Sequence, residues 1–213
     1  MSDPRPAFAR DLATASYYEQ RAGEYDEWYL AEGRHAALNP PGWHAEVSRL
    51  VHLLSELPAA RTLDVACGTA FLARHLRGDK VGLDRSPAMV ALARARLPNS
   101  AVIIGDALDL PLADRAFDRV VAGHFYGHLP PDERTRFLAE ARRVAAELVV
   151  IDTALRPGVQ PEQWQQRTLN DGSQHRIYKR YLTSTQLATE LRGTVLFQGH
   201  SFIVATVTWS TPT

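Results

Sequence analysis

The sequence lacks several features that would assign it to a specialised class of protein. It contains one cysteine, Cys67, which excludes an intrachain disulfide and a cysteine-based metal cluster and favours a cytoplasmic location. No other metal site is predicted. Lysine plus arginine and aspartate plus glutamate both number 24, so the formal net charge is zero. Without a basic excess, nucleic acid and anionic membrane surfaces are poor candidates for the main partner.

Long hydrophobic runs are also missing. No apolar stretch approaches the ~20 residues that a bilayer span needs, and the N-terminal "MSDPRPAFARDL" has no hydrophobic region of a secretory signal. Hydrophobic residues still make up 45% of the 213 residues, enough for the core of one large domain. The composition therefore predicts a single globular domain.

Apolar strands alternate with amphipathic helices in the middle of the chain. The predicted strands read "RTLDVA", "KVGLD", "SAVIIGD", "FDRVVAG" and "ELVVID". The predicted helices between them read "TAFLARHL", "SPAMVALARARL" and "PDERTRFLAEARRVA". Such alternation is typical of a parallel sheet with helices on both faces. The last segment, "TVLFQGHSFIVATVTW", predicts an antiparallel strand pair that turns near Gly199.

Two helices are predicted before the first strand. "ASYYEQRAGEYDEWYLA", residues 15–31, places an aromatic stripe at helical spacing, and "WHAEVSRLVHLLSEL" is strongly amphipathic. After the fifth strand, residues 154–182 are polar and interrupted by proline and glycine. That segment is long for a simple connection.

Acidic residues follow three successive strands. Asp64, Asp84 and Asp106 end the first, second and third, while Gly123 and His124 end the fourth. Ligands of open parallel sheets bind at the carboxyl ends of the strands, so these residues are expected to meet. A carboxylate such as Asp84 can accept from both hydroxyls of a ribose, and Asp106 can accept from an exocyclic amine. Each acid alone could also be a helix cap or turn residue, but together they predict an adenosine site.

The turn in "LDVACGTAFLARHL" separates two kinds of cofactor. A pyrophosphate loop would have three glycines, whereas this turn has Ala66, Gly68 and Ala70 and carries a negative charge at Asp64. These features disfavour a nicotinamide-dependent oxidoreductase. A carboxylate suits a cationic cofactor with an ammonium group, which describes S-adenosylmethionine.

The joint pattern "LDVACGTAFLARHL…VGLDRSPAMVALARARL…GDALDLPLADRAFDRVVAGHFYGHL" resembles the class I S-adenosylmethionine-dependent methyltransferases. It looks closest to their small-molecule branch, which includes the ubiquinone and menaquinone methyltransferases, over residues 15–153. The resemblance implies a Rossmann-like, doubly wound α/β fold with a mostly parallel seven-stranded sheet. It divides the single domain into N-terminal lid helices (1–57), cofactor-binding core (58–153), substrate-side insertion (154–182) and terminal helix with strand pair (183–213).

The resemblance also implies the cofactor contacts. Ala66, Cys67 and Gly68 would wrap the methionyl part and Asp84 would bind the ribose, whereas the adenine would lie among Arg85, Met89, Asp106 and Ala107. From the lid, Tyr25 would cover the sulfonium end and Arg34 would hold the carboxylate. The chain departs from the family at Ala70, where many members have glycine. A positive φ there would cost roughly 1 kcal/mol or more.

The chemistry is expected after the fourth strand. His124 and His128 lie near the expected methyl position, where either could act as general base or simply line and support the pocket. The Asn/Asp-Pro-Pro-aromatic signature of amide- and base-methylating members is absent here. A small molecule that is methylated on oxygen, sulfur, carbon or nitrogen is therefore the predicted acceptor, with a non-catalytic S-adenosylmethionine-binding module as the alternative. Its pocket is expected to include Trp164, Asn170, Asp171, His175, Tyr178 and Lys179.

Overall fold

A computed structural model of the chain describes residues 8–209. Seven strands form one sheet in the order β3-β2-β1-β4-β5-β9-β8. The strands are β1 (Thr62–Val65), β2 (Lys80–Asp84), β3 (Ala101–Ile104), β4 (Phe117–Gly123), β5 (Ala145–Thr153), β8 (Thr194–Gln198) and β9 (Phe202–Thr208). Strands β1 to β5 are parallel, whereas β9 pairs antiparallel with both β5 and β8. The predicted fold class, including the terminal antiparallel pair, is confirmed.

Helices cover both faces of the sheet. They are α1 (Leu12–Arg21), α2 (Glu27–Leu30), α3 (Trp43–Glu56), α4 (Pro87–Arg96), α5 (Pro131–Val144) and α6 (Ser184–Leu191). Alternate residues of the central strands divide between two cores: Val120 packs on the side of α5 and α6, and Val121 on the side of α3 and α4. None of the helices within residues 8–209 is long and apolar enough to cross a membrane.

Local sequence signals start several of these helices at the expected residues. The Ser86 hydroxyl accepts from the Met89 N–H at the start of α4, and Pro87 occupies the first helical position. Thr183 caps α6 as part of a reciprocal capping box with Gln186.

The predicted helix over residues 69–76 is wrong. Only a single 3₁₀ turn, Ala73–His75, forms between β1 and β2. The turn after β1 uses residues 66–70, and the chain must reach β2 at Lys80. The backbone becomes extended at Leu76 and takes a φ of 84° at Gly78, which ends the 3₁₀ turn after three residues.

The single helix predicted over residues 15–31 is also wrong. The chain leaves α1 at Arg21, makes a 3₁₀ turn over Ala22–Glu24 and resumes as α2. Asp26, in the break, accepts from the Thr69 hydroxyl at 2.6 Å and pairs with Arg96. These contacts fasten the break to the turn after β1, so tertiary contacts override the helical pattern.

Residues 154–182 contain a hairpin that no sequence pattern indicated. Strands β6 (Glu162–Thr168) and β7 (Gln174–Arg180) pair antiparallel as a separate two-stranded sheet. Strand β7 packs against α1. The hairpin and the N-terminal helices therefore meet on one side of the domain, at the carboxyl ends of the parallel strands.

Candidate active site

A cavity of about 440 Å³ opens at the carboxyl ends of β1 to β4. We call it the first cavity. Nine of the twelve predicted cofactor residues line it: Tyr25, Ala66, Gly68, Asp84, Arg85, Met89, Asp106, Ala107 and His124. The parallel strands bring the residues from Ala66 to His124 together because their carboxyl ends share one sheet edge, and Tyr25 reaches the cavity from the N-terminal segment. Asp64, Cys67 and Arg34 lie outside this lining.

The turn after β1 is held in a left-handed conformation at every second residue. Ala66, Gly68 and Ala70 have φ angles of 55°, 54° and 58°. Ala70 therefore does adopt a positive φ, the conformation expected to be costly for alanine there. Each alanine in this region costs roughly 1–2 kcal/mol relative to right-handed backbone. Such stored strain is typical of functional turns.

Asp84 ties this turn to the end of β2. One carboxylate oxygen accepts from the Gly68 N–H at 2.8 Å, and the other accepts from the Ser86 N–H at 2.9 Å. Burial raises the pKa of Asp84, and the backbone hydrogen bonds oppose that shift. Each carboxylate oxygen has a further lone pair, so the side chain can still accept hydroxyl groups from the cavity.

Asp64 is a buried acid without a hydrogen-bond partner. Its exposure is 4%, and its carboxyl group bonds to no group within residues 8–209. It faces a small cavity beside the first one, shared with Tyr25, Tyr29 and Cys67. Burial, with a smaller contribution from Asp84, raises the pKa of Asp64 to about 8. A cationic group placed there would stabilise the ionised form.

Cys67 serves as a structural residue of the same turn. Its backbone N–H donates to the Leu83 carbonyl at 3.0 Å, and its side chain is buried. Burial raises the pKa of the thiol well above its usual range, which suppresses the thiolate. A nucleophilic role is therefore disfavoured.

The segment 8–19 forms a roof over the first cavity. Arg10 pairs with Asp106 at 3.0 Å, and Arg85 donates to the Ala9 carbonyl. Glu19 accepts from the Ser86 hydroxyl at 2.5 Å. The sequence did not indicate these contacts, because each joins residues 67 or more positions apart.

The roof already forms a hydrogen bond with one residue that was predicted to bind the ligand, Asp106. Asp106 was expected to accept from an exocyclic amine. One of its oxygens accepts from Arg10 and the other from the Leu108 N–H at 2.9 Å. The backbone N–H of Ala107, the next residue, is left for a ring nitrogen of the ligand.

A second cavity, of about 370 Å³, adjoins the first. Tyr18, Tyr25 and His124 line both and form the wall between them. Arg34 lines the second cavity only and donates to the Leu169 carbonyl at 2.7 Å. The structure thus separates Arg34 from the other predicted cofactor residues, because the chain turns outward over residues 33–35.

The hairpin contributes to the second cavity through residues other than those expected. Of the six predicted wall residues only Lys179 lines it, with residues 165–169 and Tyr181. Trp164 instead packs edge-on against Tyr178, whose hydroxyl donates to Glu162 at 2.9 Å. Trp164, Asn170, Asp171, His175 and Tyr178 do not line the second cavity, and two of them, Asn170 and Asp171, lie in the turn between β6 and β7.

His124 is an enclosed, neutral side chain. Neither ring nitrogen has a hydrogen-bond partner, and Trp28 packs edge-on against the ring with centroids 4.7 Å apart. Burial lowers the pKa of His124 to about 3, although Asp152 acts in the opposite direction. The residue also has a φ of 55°, which places the backbone after β4 under strain.

His128 differs from His124 in having one fixed nitrogen. Its Nδ1 lies 2.7 Å from the Tyr178 carbonyl, and its ring stacks on Phe8 with centroids 4.5 Å apart. Because a carbonyl only accepts, Nδ1 carries the hydrogen in the neutral ring, and Nε2 is left as the basic atom. Burial lowers the pKa of His128 well below its usual value. The side chain lines the second cavity but not the first.

Sequence reasoning missed two arginines of the second cavity. Arg21 is buried, with its guanidinium 4.8 Å from the Tyr25 ring centroid and 5.7 Å from that of Tyr17. Arg167, on β6, lies over the other side of this region, 5.9 Å from the Tyr17 ring. The signal that could have found Arg21 was its position on the aromatic helix α1, whereas Arg167 lies on the unpredicted strand β6. Within residues 8–209 no group of three or more histidine, cysteine, aspartate or glutamate residues could hold a metal ion.

Comparison with known proteins finds a match to a methyltransferase domain and relatives that are methyltransferases. Residues 63–148 match the model of a methyltransferase domain. A demethylmenaquinone methyltransferase of Thermotoga maritima is 38% identical over 101 residues, 45% of this chain and 43% of that protein. A dTDP-3-amino-3,4,6-trideoxy-alpha-D-glucopyranose N,N-dimethyltransferase of Streptomyces venezuelae is 38% identical over 111 residues, 50% of this chain and 44% of that protein. The matches thus span less than half of these curated relatives.

The solved structures extend the likeness to 91–93% of the chain. DhpI in complex with S-adenosylhomocysteine superposes with a TM-score of 0.74 at 26% identity, covering 93% of this chain and 97% of DhpI. The DhpI complex with S-adenosylmethionine and HEP gives 0.73 at 25% identity, with 91% and 95% covered. The strand order, the acids at the strand ends and these matches show that residues 63–148 are similar to a methyltransferase domain and that the fold is similar to that of a protein solved with S-adenosylmethionine.

Proposed function

We propose that the protein transfers a methyl group from S-adenosylmethionine to a small-molecule acceptor through oxygen, sulfur, carbon or nitrogen. The observation that carries this proposal is the pair of adjoining cavities that share a wall of Tyr18, Tyr25 and His124. The first cavity has the acids expected for an adenosine, and the second gives room for another molecule. Methyl transfer requires both sites and a short passage between them.

The residues of the first cavity fit the cofactor in chemical type. Asp84 would accept from the ribose hydroxyls, and Ala107 with Met89 would border the adenine. Asp64 also fits the cofactor. Its carboxyl group is buried without a partner, and a cation such as the ammonium group of S-adenosylmethionine would stabilise its ionised form. Arg34 is not retained as a ligand of the cofactor's carboxylate, since it lines the other cavity.

When bound, S-adenosylmethionine supplies an activated methyl group on a cationic sulfur, so the protein itself needs only to position and desolvate the acceptor and to remove a proton. His128 is the better candidate for the proton because its Nε2 is left basic by the bond at Nδ1. His124 is proposed to shape the passage, with Tyr25 closing it beside Gly68.

The relatives support the class of acceptor without identifying it. One is named for demethylmenaquinone and another for an amino sugar, both of them small molecules. The alternative of a non-catalytic binding module does not explain the second cavity. A nicotinamide oxidoreductase is disfavoured by the unpartnered Asp64, because a pyrophosphate offers no cation that would stabilise its ionised form. A cytoplasmic location and the lack of nucleic-acid and membrane partners stay predictions from the sequence.

Two measurements test the proposal. Calorimetry should detect binding of S-adenosylmethionine and S-adenosylhomocysteine but not of NAD. Incubation with methyl-labelled S-adenosylmethionine and a metabolite extract should then transfer label to a small molecule. Binding without transfer to any fraction would favour the non-catalytic module, and no binding of either sulfur compound would overturn the assignment.

A further inference from the structure

The second cavity concentrates positive charge in a chain whose net charge is zero. Four arginines line it: Arg21, Arg34, Arg156 and Arg167. None has a carboxylate partner within residues 8–209. The four come from four separate places in the fold, namely α1, the 3₁₀ turn before α3, the segment after β5, and β6.

The contacts that these arginines do make leave their charges uncompensated. Arg34 donates to the Leu169 carbonyl at 2.7 Å, and Arg167 donates to the Gln165 amide oxygen at 2.9 Å. Arg21 is 8% exposed and lies against aromatic rings, without a hydrogen bond from its side chain to any described residue. The Arg156 side chain has no such bond either.

Other shielded arginines of the protein are paired. Arg119, Arg134 and Arg180 each have a glutamate oxygen within hydrogen-bond distance. Pairing is therefore the rule for buried and half-buried arginines elsewhere in the fold, and Arg21, Arg156 and Arg167 depart from it, whereas Arg34 is exposed.

The other charged side chains of the second cavity do not neutralise the positive charge of its four arginines. Lys179 is neutralised by Asp152, whose carboxylate oxygen lies 2.5 Å from Nζ. Glu24 is the carboxylate among the lining residues, and it accepts from the Asn170 N–H at 2.7 Å. Four guanidinium groups thus face one carboxylate.

We propose that the methyl acceptor is an organic oxyanion, a carboxylate or a phosphoryl compound, anchored in the second cavity by Arg156 and Arg167 with Arg34 and Arg21 beside them. Unpaired charges in a shielded cavity are costly, and an anion that enters relieves the cost. The planar guanidinium matches two oxygens of a carboxylate or phosphoryl group at once. An uncharged acceptor would leave these groups without counter-charge. The inference rests on the proposed methyl transfer, because it identifies the second cavity as the acceptor site.

The test uses three phenyl probes that differ in charge. The full-length protein, saturated with S-adenosylhomocysteine, is titrated with benzoate, phenylphosphonate and benzamide. One or both anions should bind, whereas the uncharged benzamide should not. The anion that binds more tightly shows whether the acceptor is a carboxylate or a phosphoryl compound. Arg156→Gln and Arg167→Gln should each weaken the binding of the anion about tenfold or more, the loss of a charge-assisted hydrogen bond.

Arg49→Gln is the matched control, because Arg49 lies on α3 over the Phe197 ring and lines neither cavity. It should bind the anion as the unmodified protein does. Affinity for S-adenosylhomocysteine, measured on every variant, reports on the fold and the first cavity. If the unmodified protein does not bind S-adenosylhomocysteine, the proposed function is contradicted. If it binds S-adenosylhomocysteine but neither anion, this inference alone is overturned.

A second experiment approaches the natural acceptor. The metabolite extract is split on an anion exchanger, and each fraction is offered with methyl-labelled S-adenosylmethionine. Label should be transferred to compounds from the retained fraction, and the Arg156→Gln and Arg167→Gln variants should raise KM for that fraction more than they lower kcat. Transfer confined to the unretained fraction would overturn the inference.

Discussion

The Asp84 carboxylate accepts a hydrogen bond from the Gly68 N–H at 2.8 Å, joining the end of β2 to the strained turn after β1. The same side chain lines the first cavity, so one residue both shapes the turn and faces the ligand. The two roles can be separated by substitution.

Asp84→Asn and Asp84→Ala should both weaken binding of S-adenosylhomocysteine, the second more strongly. Asparagine keeps one oxygen acceptor for Gly68 but loses the charge, and we expect roughly 10- to 100-fold weaker binding. Alanine also releases the turn. Calorimetry measures both, with circular dichroism to verify the fold. Equal affinity in Asp84→Asn and the unmodified protein would exclude the ribose assignment.

Asp64 should make the stability of the ligand-free protein depend on pH. Its pKa is raised by burial from 3.8 to about 8, so the folded state holds a proton that the unfolded state releases. The stability from this proton is complete below about pH 4 and is lost as pH rises through about 8. Relative to Asp64→Asn, the unmodified protein should therefore lose up to several kcal/mol between these limits.

Urea unfolding across this pH range measures the difference. Asp79→Asn is the control, since Asp79 is exposed and its side chain bonds to no described residue. A constant difference between Asp64→Asn and the unmodified protein would show that Asp64 is ionised throughout.

The left-handed turn predicts opposite effects for two substitutions that are normally similar. Ala66→Gly should leave stability unchanged or raise it by up to about 1 kcal/mol, because glycine relieves the strain at φ 55° but is more flexible when unfolded. Ala91→Gly, in the exposed middle of α4, should lower stability by about 1 kcal/mol.

Gly68→Ala completes the set of turn variants. The added Cβ would meet the Tyr25 ring at 3.5 Å, an ordinary contact, so the expected loss of about 1 kcal/mol comes from the backbone. Urea unfolding measures all three variants. A loss for Ala66→Gly as large as for Ala91→Gly would mean that the turn is not left-handed in solution.

The two histidines should respond differently to replacement. His128→Asn keeps an N–H for the Tyr178 carbonyl but removes the basic Nε2, and we expect kcat to fall about 100-fold with unchanged affinity for S-adenosylhomocysteine. His124→Phe should retain activity within a few fold and raise the melting temperature, because it removes two buried nitrogens without partners.

Initial rates on the labelled acceptor and thermal unfolding test this division. In the unmodified protein, the loss of rate on acidification should begin below the usual pKa of histidine, since burial lowers the pKa of His128. The reverse pattern, with His124→Phe inactive and His128→Asn active, would assign the proton transfer to His124.

Much of the sheet and of the first cavity could be predicted because its signals are local. Apolar runs mark the parallel strands, Ser86 and Thr183 mark helix starts, and the acids at the ends of β1 to β3 meet wherever those strands are parallel neighbours. The order of strand, turn and acid in the sequence thus determined the α/β architecture and the place of the ligand.

What the sequence could not give depends on contacts between distant segments. Asp26 breaks the N-terminal helix by bonding to Thr69, and the packing of the β6–β7 hairpin against α1 places Arg167 rather than Trp164 at the second cavity. Contacts with distant residues likewise position Arg34, which donates to the Leu169 carbonyl, and Asp106, which accepts from Arg10. Only the tertiary structure decided the second cavity and its charge, because its four arginines come from four separate parts of the chain whose mutual packing has no local signal.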